Sequence, residues 1–124
     1  MSDPRNKASV RIDDRGEAAV ITFTTSSISD TEGIAAAGRR IRSYITQATP
    51  KRLVFDFAGV KFFSSQVLGL LLDAKTEAQA RGGDVVISAI DPQLHRVFKI
   101  TSLDKIFEFF PDRHAAAQIG GPAT

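Results

Sequence analysis

Ser64-Ser65 opens a long stretch of helical periodicity that runs to about Arg81. A hydroxyl at such a helix start lies where backbone N–H groups and the helix dipole favour a negative group, so a phosphate fits there. Read more plainly, Ser64 is an N-cap contributing about 1 kcal/mol and Ser65 is a tolerated first-turn residue. A hydrolase would instead need Ser65, His95 and Asp56 as nucleophile, base and orienter, the residue types of a triad. The context argues against this, because Phe63 and Val67 occupy the glycine positions of a G-x-S-x-G elbow around Ser65. His95 also falls on the polar side of its helical stretch, beside Gln93 and Arg96.

Other reaction chemistry finds few residues to use. Phosphate-cradling loops of the G-x-x-x-x-G-K-[ST] or G-x-G-x-x-G kind are absent, since Gly33, Gly38, Gly82 and Gly83 lack those spacings. The chain has no cysteine, and His95 and His114 stand far apart without a carboxylate cluster, so no metal set is predicted. The expectation is a chain that is not an enzyme, with no catalytic residue, metal or cofactor of its own.

The elements that must position the serines follow from hydrophobic period and turn residues. Ser9 to Ile12 and Ala18 to Phe23 flank Asp13-Asp14-Arg15-Gly16, which predicts an N-terminal hairpin. Thr24 to Ser29 reads as a polar loop, and Asp30 as the N-cap of a helix over about Thr31 to Gln47. Ile34, Gly38, Ile41 and Ile45 form its core stripe, with Gly38 placed to bring the backbone close to a sheet and Arg39, Arg40 and Ser43 turned to water. Leu53-Val54-Phe55-Asp56-Phe57 is nearly continuous in apolar residues, the mark of a central strand covered on both faces.

After the long helix, Gly82-Gly83 is its stop, and Asp84 to Ile90 is a strand. Asp91-Pro92 starts another helix, Ile106 to Phe110 is a last strand, and Asp112 to Gln118 a final short helix. In the long helix Leu68, Leu70 and Leu72 flank a central stripe of Val67, Leu71, Ala74 and Ala78. Either a broad groove buries all these leucines or some remain exposed as an edge for a partner. The order predicts an α/β domain with a central mixed sheet of about five strands and about four helices.

The 124 residues, 43% hydrophobic and 24% charged, fit one domain over 9–118 with flexible segments at 1–8 and 119–124. Sixteen basic against fourteen acidic residues leave a net charge of +2, and the basic cluster of Arg39, Arg40, Arg42, Lys51 and Arg52 has no interleaved aromatics. Nucleic acid is therefore not the expected partner. No apolar run approaches the roughly 18 residues of a membrane span, and Met1 to Arg11 lacks the apolar core of a signal peptide. A cytoplasmic protein without membrane contact is expected.

The strings L-V-F-D-F-A-G-V-K-F-F-S-S-Q-V-L-G-L-L, from Leu53 to Leu71, and D-P-Q-L-H-R-V-F-K-I-T-S-L-D-K-I-F, from Asp91 to Phe107, stand either side of the Gly82-Gly83 stop and the strand Val85 to Ala89. This pattern resembles the sulfate transporter and anti-sigma factor antagonist domain, STAS, and within it the free-standing anti-sigma factor antagonists. With the hairpin and first helix included, the likeness covers nearly the whole chain. The family typically reads D-S-[ST]-G-L-G at the start of the long helix, with its first serine phosphorylated. Aligning Leu68-Gly69 with the final L-G sets Ser65 on the phospho-acceptor. Ser64 then replaces the aspartate, Gln66 the Ser/Thr and Val67 the glycine. Ser26-Ser27-Ile28-Ser29 stands for a G-x-[LI]-D pattern, and Ser102 replaces a glycine before Leu103-Asp104.

The resemblance implies an anti-sigma factor antagonist of a divergent bacterial S-S branch. It binds an anti-sigma factor serine kinase, frees a sigma factor for transcription, and is switched off by phosphorylation of Ser65, or Ser64 if the register is shifted by one. A phosphatase resets it, and ATP and magnesium belong to the kinase. The implied docking edge comprises Ser29, Asp30, Ser64, Gln66, Gly69, Leu70 and Asp73. Two rival roles share the fold: a scaffold subunit binding other STAS domains in a stress-signalling assembly, and a small-ligand or lipid-binding module using the Ser26 to Asp30 loop.

Overall fold

A computed structural model describes residues 9–118; the segments 1–8 and 119–124, expected to be flexible, lie outside the described residues. The chain begins with β1 (Val10–Arg15) and β2 (Ala18–Phe23), an antiparallel hairpin in register from Val10 opposite Phe23 to Arg15 opposite Ala18. Gly16 takes a positive φ of 82°, and its N–H donates to the Asp14 carboxylate at 2.9 Å, an Asx-type closure of the turn. The strand runs on through the acidic pair because β1 is the sheet's outer strand, where those side chains stand in water.

From β2 the chain passes through β3 (Ser27–Ile28) into α1 (Thr31–Ala48), then β4 (Arg52–Asp56), β5 (Phe62–Phe63), α2 (Ser65–Ala80), β6 (Asp84–Ser88), α3 (Pro92–Ile100), β7 (Glu108–Phe110) and α4 (Arg113–Ala117). The main sheet has the order β1-β2-β4-β6-β7, with every pair beyond the hairpin parallel. It is the expected mixed sheet of five strands with four helices.

Alternation along β4 assigns the two faces. Leu53, Phe55 and Phe57 point into the main core beneath α1, α2 and α3, while Val54 meets Val20, Val86 and Ala116 of α4 on the other side. Both sets are inaccessible to solvent, which is why this strand reads as a nearly unbroken apolar run. Helix α2 buries Leu70 and Leu71 and packs Leu68 and Leu72 half-buried against the core. No leucine of α2 is left exposed, so the broad groove, not an apolar edge, accounts for its wide stripe.

Two expectations need correction. Thr24 to Ser29 is not all loop: Ser27 and Ile28 pair in parallel with Phe62 and Phe63, forming a second sheet of two short strands. Strands of two residues carry no readable period. Gly38 approaches α2 and not the sheet; a Cβ built there would lie 3.8 Å from Leu70 Cδ1, an ordinary van der Waals contact. Gly38→Ala should therefore be accepted and raise stability by about 0.5–1 kcal/mol, the helix-propensity difference, measured by denaturant unfolding. Destabilisation would mean that α1 and α2 sit closer than this packing allows.

Tyr44 of α1 ties the hairpin down, its phenol donating to Asp14 at 2.9 Å. Burial, then the hydrogen bond and negative charge of Asp14, push the Tyr44 pKa up to about 12. Its folded pKa exceeds the unfolded value, so the stabilisation is complete below about pH 10 and is lost as pH rises towards about 12. Tyr44→Phe should flatten that part of an alkaline stability profile; an unchanged slope would refute the coupling.

Candidate functional site

The two-stranded sheet brings two helix starts together. Ser64 donates its backbone N–H to the Ile28 carbonyl at 2.9 Å and Lys61 donates to Ser26 at 2.7 Å, so the segments leading into α1 and α2 run side by side. Ser29 and Asp30 thereby lie beside Ser64 and Ser65 although more than thirty positions separate them in sequence. Asp30 has extended backbone and its carboxylate accepts from Gly33 N–H at 3.1 Å, the expected cap of α1. Across the gap, the Gln66 side-chain amide donates to the Thr31 carbonyl at 3.2 Å.

Ser64 occupies the N-cap position of α2, with φ −80° and ψ 163°, yet its hydroxyl makes no capping hydrogen bond. Its Oγ is buried without a hydrogen-bond partner. The expected stabilisation of about 1 kcal/mol from this cap therefore does not arise, because the bond that supplies it is missing. Ser64→Ala should be neutral or stabilising by a few tenths of a kcal/mol, since it removes an unsatisfied buried hydroxyl. A loss of about 1 kcal/mol on chemical denaturation would restore the capping role.

Ser65 differs from its neighbour in every respect that matters for chemistry. It is the first residue of α2, exposed, with its hydroxyl at the positive end of the helix dipole and the start of α1 close by. Beyond it, Gln66, Gly69, Leu70 and Asp73 line a groove of about 500 Å³ between α2 and α1. Its other wall is Ile34, Ala35, Gly38, Arg39 and Arg42, of which the sequence pattern placed Ile34 and Gly38 in the core stripe and Arg39 on a solvated flank. What could have found them is Gly38, a glycine on a helical stripe with no turn to make.

The triad residues do not meet. Asp56 lies on the α4 face of the sheet, its carboxylate accepting from the Ser88 hydroxyl at 3.0 Å and facing Arg113 at 3.5 Å. His95 sits against the Phe109 ring with centroids 4.4 Å apart. Ser65 belongs to a helix packed on the opposite face, a separation that follows from the alternation of Phe55, Asp56 and Phe57. Among the described residues no group of three His, Cys, Asp or Glu could hold a metal ion. Nor is any helix among the described residues long and apolar enough to cross a membrane.

A family model for the STAS domain matches residues 11–116, which spans the hairpin, both helix starts and the groove. The chain belongs to the STAS domain family. This STAS domain is similar to an anti-sigma-factor antagonist (STAS) domain protein from Planctomyces limnophilus, with 20% identity, a TM-score of 0.77, and 88% of this chain and 96% of that one covered. An anti-sigma factor antagonist from Mycobacterium paratuberculosis matches with 24% identity and a TM-score of 0.75 over 94% and 95% of the two chains. The phosphorylated form of the Bacillus cell fate determinant SpoIIAA matches with 20% identity and a TM-score of 0.67 over 86% of this chain and 96% of that one. At these identities the likeness is one of fold.

Proposed function

We propose that this STAS domain is an anti-sigma factor antagonist that docks an anti-sigma factor serine kinase and is released when Ser65 is phosphorylated. The observation that carries the reading is the Ser65 hydroxyl, exposed on the first turn of α2 beside a second helix start and next to an open groove. The solved structures that share its fold include anti-sigma factor antagonists and a phosphorylated form of one of them.

The chemistry asked of this chain is small. It presents a hydroxyl to which the kinase transfers the γ-phosphoryl group of ATP, and the backbone N–H groups of α2 then face the new charge. The chain acts as a substrate and binding module in transcription control, and ATP and magnesium belong to the kinase. Phosphorylation adds about −1.5 to −2 charge at the docking edge formed by Ser29, Asp30, Ser64, Gln66, Gly69, Leu70 and Asp73, which ejects the partner until a phosphatase removes it.

The test is phosphosite mapping with the partner recovered by affinity from the native cell. Phosphate should appear on Ser65 in the wild type and in Ser64→Ala, and be absent from Ser65→Ala, which still binds. Phosphate on Ser64 would shift the acceptor by one residue. A stable complex in which neither serine is ever modified would replace this reading with the scaffold role.

A further inference from the structure

We propose that the groove between α1 and α2 seats an amphipathic helix of the partner, acidic along the flank that meets Arg39 and Arg42. This rests on the partner-binding reading above and adds which surface is used and what chemistry it selects.

The groove carries charges of opposite sign on its two walls. Helix α1 contains three arginines and one acid, Glu32, an excess of two positive charges equal to the formal net charge of +2 of the whole chain. Arg40 turns aside and donates to the Val10 carbonyl. Arg39 and Arg42 stay exposed, one turn apart on the groove wall, and neither makes an ion pair among the described residues. The facing wall is of the other character, with Gln66 and the exposed Asp73. A ligand lying here meets cations on one side and an acid on the other, which fixes both its charge pattern and its direction.

The floor sets its size. Leu70 supplies apolar surface at the base, and Gly69 leaves open space, since a Cβ there would meet nothing within 4 Å. Gly69 lies inside a helix, where alanine is the better residue, and this chain's own packing makes no use of the room. From Ile34 to Arg42 the groove runs about 12 Å at the helical rise, room for about two turns of a docked helix with anchors at i, i+3 or i+4, and i+7. A nucleic acid backbone would find Asp73 repulsive and no aromatic platform.

Two measurements decide the proposal. Against the cognate kinase, calorimetric affinity should fall at least about tenfold for Arg39→Glu/Arg42→Glu and for Gly69→Leu, which blocks the groove without changing charge, while Arg96→Glu on α3 stays within about twofold. In the second, a short helical peptide with a leucine stripe and glutamates on one flank should shift the NMR amide signals of Gly38 and Gly69, and the same peptide with lysines in place of the glutamates should not. Equal affinity of wild type and both groove variants overturns the groove while leaving phosphorylation of Ser65 standing. If no kinase binds or modifies the wild type, the reading of Ser65 falls and the peptides alone decide the groove. Shifts produced equally by both peptides, or only by duplex DNA or anionic vesicles, overturn it.

Discussion

Ser65→Asp should weaken binding of the proposed kinase partner by about 10- to 100-fold while raising, not lowering, the unfolding temperature of the free domain. The two effects share one cause and differ in sign because the surroundings differ. In the free domain the carboxylate stands in water at the N-terminus of α2, with the start of α1 alongside, and a negative charge there is stabilising by about 0.3–1 kcal/mol. In the proposed complex the same charge would be covered by a partner surface that faces a neutral hydroxyl in the wild type, and a charge partly desolvated there without a counter-ion costs about 1.4–2.8 kcal/mol at that loss of affinity. Ser65→Asn supplies the control, similar in size to aspartate and uncharged, and should bind within a few-fold of wild type. Calorimetric binding and thermal unfolding of the three proteins check this. Equal weakening by Asn and Asp would mean that shape and not charge controls docking, and a lower unfolding temperature for Asp would contradict the helix-terminus electrostatics.

How much of this was legible beforehand differs between fold and site for a physical reason. Strands β2, β4 and β6 and the four helices announce themselves through apolar period and capping residues, because burial acts on every residue of a long element. Asp30 and Asp91 cap their helices as read, each accepting a backbone N–H. The two-stranded sheet left no such mark, and it is what places Ser29-Asp30 beside Ser64-Ser65. Residue type alone made Ser64 a cap, whereas the bond depends on where the hydroxyl turns, and here it turns into the protein. The groove's arginine wall was hidden for the opposite reason: an exposed arginine reads as solvated flank until the neighbouring helix is known.

Gly83→Ala should be the most damaging single methyl added to this chain, costing about 3 kcal/mol or more and lowering the unfolding temperature by about 10 °C or more. As sequence, Gly82-Gly83 is one stop signal; in the structure the two glycines do different work. Gly82 has φ 85°, the left-handed turn that ends α2, and open space around it, so alanine there meets only backbone strain of about 1–2 kcal/mol. A Cβ on Gly83 would lie 2.2 Å from the Pro50 carbonyl oxygen and 3.4 Å from that of Lys51. Those are backbone atoms that cannot rotate away. Lys51 N–H is held by the Glu17 carbonyl at 2.8 Å, Asp84 N–H by the Lys51 carbonyl at 3.1 Å, and Gly83 N–H by the Ala78 carbonyl at 2.8 Å, so relief requires parting the starts of β4 and β6 or unwinding the last turn of α2. Denaturant unfolding should rank Gly83→Ala well below Gly82→Ala, and the reverse order would show that the approach of these two central strands is looser than the structure has it.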